Sequence, residues 1–407
     1  NEKEQTESFA YFCSNIIALN MKKLYLLLAL FLSLATADAQ QWVGTFATAP
    51  EFTGKGDMPQ TTTLANTTLR QVVKVSLGGS RLQVQLSNEF SREAVEIKSV
   101  YIADARDSSD IDARTATYLS FGGRRSVTIA PGETVYSDAL NYALKPLQRL
   151  AVTICYGSRV PVNATSHRGS RTHSYIARGT VKPGARFHAI EKPVHWYNIS
   201  KINVWSAGRA VAVLGNSITD GRGSTTDLQN RWPDRMAEAL GGQLGVLNLG
   251  IGGNCVVEGG LGEPALMRFD RDILGQKGVD RLIIFEGTND IGTCNADYEQ
   301  KARRLIEAYG VLIAKARAAG MKVYMGTITP TRGHGWYSFF REAMRQTVNE
   351  WIRTNKEIAG VIDFDELTRD AADSQRLKAD YSDDWLHLNP RGYEAMGRYA
   401  ATVIDRP

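Results

Sequence analysis

After Ser206 the chain alternates between short apolar runs and helical stretches, and this rhythm allows very few architectures. Val211–Leu214, Val246–Leu249, Arg281–Glu286, Lys322–Thr327 and Val361–Phe364 read as buried strands. Between and after them, Pro233–Leu240, Tyr298–Ala319, Tyr337–Thr354 and Glu394–Ile404 read as helices. Strands that are apolar throughout must be covered on both faces, so the pattern predicts a parallel sheet in a three-layer α/β/α domain over residues 206–407.

The preceding stretch, residues 40–205, has a different pattern. Val73, Val75 and Leu77 alternate with polar residues, Gly78-Gly79 turns the chain, and Leu82, Val84 and Leu86 alternate again, which predicts a hairpin. Val127–Ile129, the Pro131-Gly132 turn and Thr134–Tyr136 predict a second one. Val95–Ile97, Val100–Ile102 and Leu150–Tyr156 add further strands, and no helical period of useful length interrupts them. Many short strands joined by turns predict a β-sandwich or jelly-roll-like domain. The joint between the two domains is expected near Trp205–Arg209.

Residues 21–39 are read as a secretory signal peptide: Met21-Lys22-Lys23, the apolar run Leu24–Leu34, then the small residues Ala35–Ala39. The run is too short for a confident membrane span. Residues 1–20 are read as an upstream extension with no structural role, and no Cys follows the apolar run as lipid anchoring would require. The expected location is secreted, periplasmic or extracellular, with no membrane partner after cleavage. A formal charge of +5 spread without a basic run gives no reason to expect nucleic acid. A 43% hydrophobic and 22% charged composition leaves apolar material for two cores. Past the leader, Cys155, Cys255 and Cys294 remain, an odd number; Cys255 with Cys294 is the pair to expect if any forms, and three reduced thiols are the alternative. Oligomeric state is not legible.

The chemistry converges on strand ends. Ser217 follows the first strand of the C-terminal half in Gly215-Asn216-Ser217, where open α/β sheets present ligands. The second strand leads into Asn248–Gly253, the third into Gly287–Asp290, and Asp384–His387 precedes the last helix. A serine hydroxyl needs a base, neutral imidazole suits that near pH 7, and a carboxylate fixes the imidazole tautomer. The tetrahedral oxyanion needs N–H donors. Ser217, His387, Asp384, Gly253 and Asn289 supply all of these roles.

On these residues the segment from Ala210 to the C-terminus resembles the SGNH (GDSL-like) hydrolases, whose domain is flavodoxin-like. Their G-D-S-x-T-x-G-like block reads here Gly215–Gly221, their N-x-G-x-x-G block Asn248–Gly253, their G-x-N-D block Gly287–Asp290 and their D-x-x-H block Asp384–His387. The resemblance implies Ser217, Asp384 and His387 as catalytic residues. It implies the Ser217 and Gly253 N–H groups and the Asn289 side chain as the oxyanion hole. Asn216 stands where Asp is commoner and Leu388 where Pro is usual; Asp383, beside Asp384, is the alternative orienting carboxylate. Trp42–Ala49, Leu69–Gln71, Leu86–Asn88, Asn230–Pro233 and Arg268–Asp272 are similar to secreted two-domain members related to acetyl xylan esterases. This narrower resemblance implies a serine esterase acting through an acyl enzyme on an acylated, chiefly acetylated, carbohydrate.

Trp232, His334 and Trp385 are candidate substrate contacts, the two tryptophans equally readable as core. His167, His173, His188 and His195 read as structural or exposed. No Cys/His cluster or H-E-x-x-H suggests a metal, and no cofactor is expected. In the dinucleotide pattern starting at Gly250 the third glycine is Cys255, and Thr219 stands where a nucleophile elbow needs Gly. A lipid or thioester acylhydrolase of the same family and a non-catalytic carbohydrate-binding protein are the rival readings. A long apolar lid would favour the lipid enzyme, but Gly221–Arg231 and Thr331–Tyr337 are polar and aromatic.

Overall fold

The computed structural model describes residues 40–404 together with Met21. The expected extension and signal peptide thus fall outside the described residues, Met21 apart. Gln41–Pro407 forms one compact unit.

The C-terminal half contains the expected parallel sheet. Its strands are Leu244–Gly250, Arg209–Gly215, Val279–Phe285, Lys322–Gly326 and Gly360–Ile362, in that spatial order. The first strand in sequence lies second in space, so the chain reverses direction across the sheet there. The crevice at the carboxyl ends beside such a switch point is where open α/β sheets bind ligands. Alternate residues of Arg209–Gly215 feed opposite layers. Ala210, Ala212 and Leu214 join one apolar cluster with Leu305, Leu312 and Val348 from helices Tyr298–Ala318 and Phe339–Thr354. Val211 and Val213 join the other, with Met236 and Met396 from helices Trp232–Ala239 and Pro390–Val403. Period two in the strand and 3.6 in the helices thus give three layers.

The N-terminal half is mostly β. Gln41–Ala47, Ile199–Ser206, Gly79–Ser87 and Thr134–Tyr136 form one antiparallel sheet in that order, with Leu140–Leu144 also pairing to Gly79–Ser87. Ser174–Arg178, Thr67–Lys74, Arg149–Tyr156, Val95–Asp104 and Thr117–Tyr118 form a second, with Val127–Ile129 paired to Val95–Asp104. Val84 and Leu86 of the first share a core with Leu69, Val73 and Val152 of the second.

Neither expected hairpin forms. Thr67–Lys74 and Gly79–Ser87 lie in different sheets, and so do Val127–Ile129 and Thr134–Tyr136. Each turn crosses from one sheet to the other. The alternation marks which face of a strand is buried, and crossing strands bury the same residues against each other as paired ones would.

The two halves share a core as well as a chain. Only Ala207 and Gly208 separate strand Ile199–Ser206 from Arg209–Gly215. Gly44 N donates to Lys277 O at 2.8 Å, and Val246 N on the edge strand of the parallel sheet donates to Ser76 Oγ at 2.8 Å. The N-terminal half therefore covers an edge that would otherwise stand open. Cys155, Cys255 and Cys294 are buried free thiols, so the Cys255–Cys294 pair does not form. Burial, with Asp290 and Glu286 nearby, pushes the Cys255 thiol up to about 12.

Candidate active site

Asn216 caps the one-turn helix Ser217–Asp220: its side-chain oxygen accepts from Ile218 N at 3.0 Å. The amide thus does the capping work of the Asp it replaces. Ser217 is the first helical residue, and the N–H groups of a first turn have no intrahelical acceptor. Asn248 Nδ2 donates to Thr219 O at 2.8 Å, tying the second strand's exit to this turn.

Ser217 Oγ lies 2.9 Å from His387 Nε2, and His387 Nδ1 lies 2.7 Å from Asp384 Oδ2. The carboxylate end requires the proton on Nδ1, which leaves the Nε2 lone pair facing the serine hydroxyl. The other Asp384 oxygen accepts the backbone N–H of His387 at 2.7 Å and of Leu386 at 3.0 Å. These bonds and the imidazole hold the Asp384 carboxyl below its ordinary range against the opposing effect of burial. Asp383 is exposed and makes no hydrogen bond to His387 among the described residues. Burial pushes His387 below its ordinary value of 6.5; Asp384 opposes that, and the nearby Arg222 and Arg171 charges add to it.

Gly253 has φ +75°, a left-handed conformation that glycine adopts without strain, and Leu261 Cδ1 lies 2.9 Å from where a Cβ would stand. Its loop is braced twice. Asn254 Nδ2 donates to Leu261 O and Glu263 O, each at 2.8 Å, and the Asp290 carboxylate accepts from Val256 N at 2.9 Å and Val257 N at 3.1 Å. Asn289 Nδ2 donates one bond to Asn254 O at 2.7 Å, which leaves its second N–H available.

Ser217, Gly253, Asn289, His387 and Asp384 line one open cleft of about 450 Å³, and His334 and Trp336 line it with them. Burial lowers the His334 ring below its ordinary 6.5. Two of the three expected substrate contacts are corrected. Trp232 is fully buried, packs edge-on against Phe364 and Phe285, and donates from its indole to Thr219 Oγ1 at 3.3 Å. It is core because it faces the layer beneath the sheet. Trp385 is not among the residues lining the cleft; Arg376 covers its ring at 3.9 Å.

Sequence reasoning missed two groups. Arg268, fully buried, donates to Leu249 O at 2.7 Å, Gly215 O at 3.2 Å and Asn254 Oδ1 at 3.0 Å, with Asp272 Oδ2 3.1 Å away. One guanidinium thus braces both strand ends beneath Ser217 and Gly253. Arg268–Asp272 stood out only as a pattern, without a place in the site. The second group comes from the N-terminal half: Arg168, Gly169 and Arg171 line the cleft. Gly169 lies so close to Asp220 that a Cβ would stand 1.8 Å from Asp220 Oδ1. No local pattern marks a β-sandwich loop as a wall for a site some 50 residues away.

Comparison with known proteins adds the following. Residues 213–395 match the family model described as GDSL-like Lipase/Acylhydrolase. The uncharacterized lipoprotein YqeF of Bacillus subtilis (strain 168) is 28% identical over 193 residues, 44% of this chain and 71% of that protein. Among solved structures, a GDSL-like lipase from Bacteroides thetaiotaomicron VPI-5482 is 19% identical, with 48% of this chain and 86% of the other covered at a TM-score of 0.37. A carbohydrate acetylesterase from Sinorhizobium meliloti is 16% identical, with 48% and 97% covered at a TM-score of 0.37. No helix among the described residues is long and apolar enough to cross a membrane. Residues 213–395 thus carry a domain that matches the GDSL-like lipase/acylhydrolase family.

Proposed function

We propose that the protein is an exported serine esterase that removes acetyl groups from carbohydrate. The observation that carries this reading is the continuous relay from Asp384 through His387 to Ser217, opening into a cleft whose other walls include Arg168, Arg171, Arg222, Asp220, Asn289 and His334. Ser217 Oγ attacks the ester carbonyl as its proton passes to His387 Nε2. The Ser217 and Gly253 N–H groups and the Asn289 side chain hold the oxyanion. The tetrahedral intermediate collapses, and His387 returns the proton to the departing sugar oxygen. Water, deprotonated by the same imidazole, then attacks the acyl enzyme and releases acetate.

The lining of the cleft supports a small acyl group on a hydroxyl-rich alcohol. Leu261, Leu386 and Trp336 are its apolar side chains, too few to bury a long acyl chain. The Lys-Lys and apolar pattern of residues 21–39 supports export.

The test is hydrolysis of acetylated glycans and of aryl esters of increasing acyl length by the full chain and by Ser217→Ala. Acetate release that Ser217→Ala loses supports the reading. Preference for long acyl chains would move the function to lipid hydrolysis, and no hydrolysis of any ester would favour a carbohydrate-binding protein.

A further inference from the structure

The mouth of the cleft is cationic in a way that ester hydrolysis alone does not require. Arg168, Arg171 and Arg222 line it together with Ser217. The first two are each anchored by a carboxylate taken out of water. Arg168 Nε donates to Glu51 Oε1 at 3.2 Å and Arg171 donates to Asp220 Oδ2 at 2.7 Å; Glu51 is 2% exposed and Asp220 1%. The two arginine side chains keep 30% and 27% of their surface exposed, and Asp220 and Asp384 also line the cleft, so three guanidiniums face it beside two carboxylates.

Donors are left over. Arg171 Nε is buried with no hydrogen-bond partner, and Arg171 sits at φ +52°, a left-handed conformation costly for a side-chain-bearing residue. Arg222 is exposed and forms no ion pair among the described residues. These charges also work against the site's own base, since Arg222 and Arg171 both disfavour the His387 imidazolium. An arrangement that weakens the base needs a compensating use. A guanidinium fork matches a carboxylate in plane and charge, and for Arg222, which has no ion pair among the described residues, a neutral sugar hydroxyl would supply no counter-charge.

We propose that the ester substrate is anionic: the acetylated sugar, or its neighbour in the chain, carries a carboxylate that docks against Arg222 and Arg171, with Arg168 beside them. This inference rests on the esterase reading and narrows its substrate to acidic glycans of the uronic acid class. It also gives the N-terminal half a part in specificity, because two of the three arginines come from it.

The test uses a matched pair, monoacetylated methyl galacturonoside and monoacetylated methyl galactoside with the ester at the same ring position, plus an aryl acetate. The full chain is assayed near pH 8, where the ionisation of His387 does not intrude. The expected result is a kcat/KM at least ~10-fold higher for the acidic glycoside at low salt, with the preference shrinking as ionic strength screens the contact. Arg222→Gln should reduce that ratio most and Arg168→Gln less, and the double variant should keep only the smaller preference that Arg171 supplies. Equal rates on the two glycosides, or variants that slow both alike, would overturn the anionic substrate; the second outcome would make the arginines general stabilisers of the oxyanion. Hydrolysis of the aryl acetate with neither glycoside cleaved would likewise overturn it while leaving the esterase reading intact. If no ester is cleaved, the esterase reading fails and this inference with it.

Discussion

His167 Nε2 lies 3.0 Å from Asp220 Oδ1, so a side chain of the β-rich half holds the last residue of the turn that begins with Ser217. His167 is itself anchored through Nδ1, 3.0 Å from Ala49 O. Burial would raise the Asp220 carboxyl, but Arg171 and His167 outweigh it and hold the group below its ordinary range. A depressed carboxylate stabilises the fold above its unfolded pKa of about 3.9, and that stability is lost as pH falls through the lower folded value. In His167→Ala one compensating partner is gone and the folded pKa rises. Acid unfolding, followed by circular dichroism, should therefore begin at higher pH than in the wild type. Displacement of the Ser217 turn should also lower kcat by about 10²-fold with little change in KM.

The pH profile follows from the base. Because His387 is held below 6.5, the acid limb of kcat/KM should lie below that value. Arg222 contributes to the depression, so Arg222→Gln should move the limb to higher pH. A limb that stays put would mean that Arg222 does not act on the imidazole.

Asp384→Asn should keep the shape of the site and lose the carboxylate that fixes the His387 proton on Nδ1. An amide donor facing Nδ1 favours the opposite tautomer, and the expected loss in kcat is about 10⁴-fold. Asp383→Asn, at an exposed position with no bond to His387, should change kcat by less than about twofold. If Asp383→Asn proves the more damaging, the assignment of the orienting carboxylate is reversed.

Arg268→Met should unfold easily. It leaves Leu249 O, Gly215 O and Asn254 Oδ1 without their donor and Asp272 short of a counter-charge in a fully buried site. Removing one partner of such a buried pair costs about 3–5 kcal/mol, readable as a lower urea midpoint.

The sequence carries the parallel sheet openly, because strands buried on both faces are apolar throughout and each ends near a helix signal. Ser217, His387 and Asp384 are legible for a related reason: turns at strand ends are built from short local patterns. The pairing of the N-terminal strands is not legible, since Val73 and Val84 alternate in the same way whether their strands pair or face each other across a core. Trp232 illustrates the same gap: nothing in Asn230–Pro233 tells a ring stacked on sugar from one packed against Phe364. The arginine wall is the largest omission, because Arg168 and Arg171 reach the cleft only through the packing of one half on the other.

The most direct test is to find the acyl group. The full chain is mixed with an aryl acetate, quenched in acid within one turnover, and examined by intact-mass and peptide mass spectrometry. The account predicts a gain of one acetyl group on the peptide containing Ser217, absent in Ser217→Ala together with ester hydrolysis. An acetyl group on another residue, or hydrolysis that survives in Ser217→Ala, would contradict it.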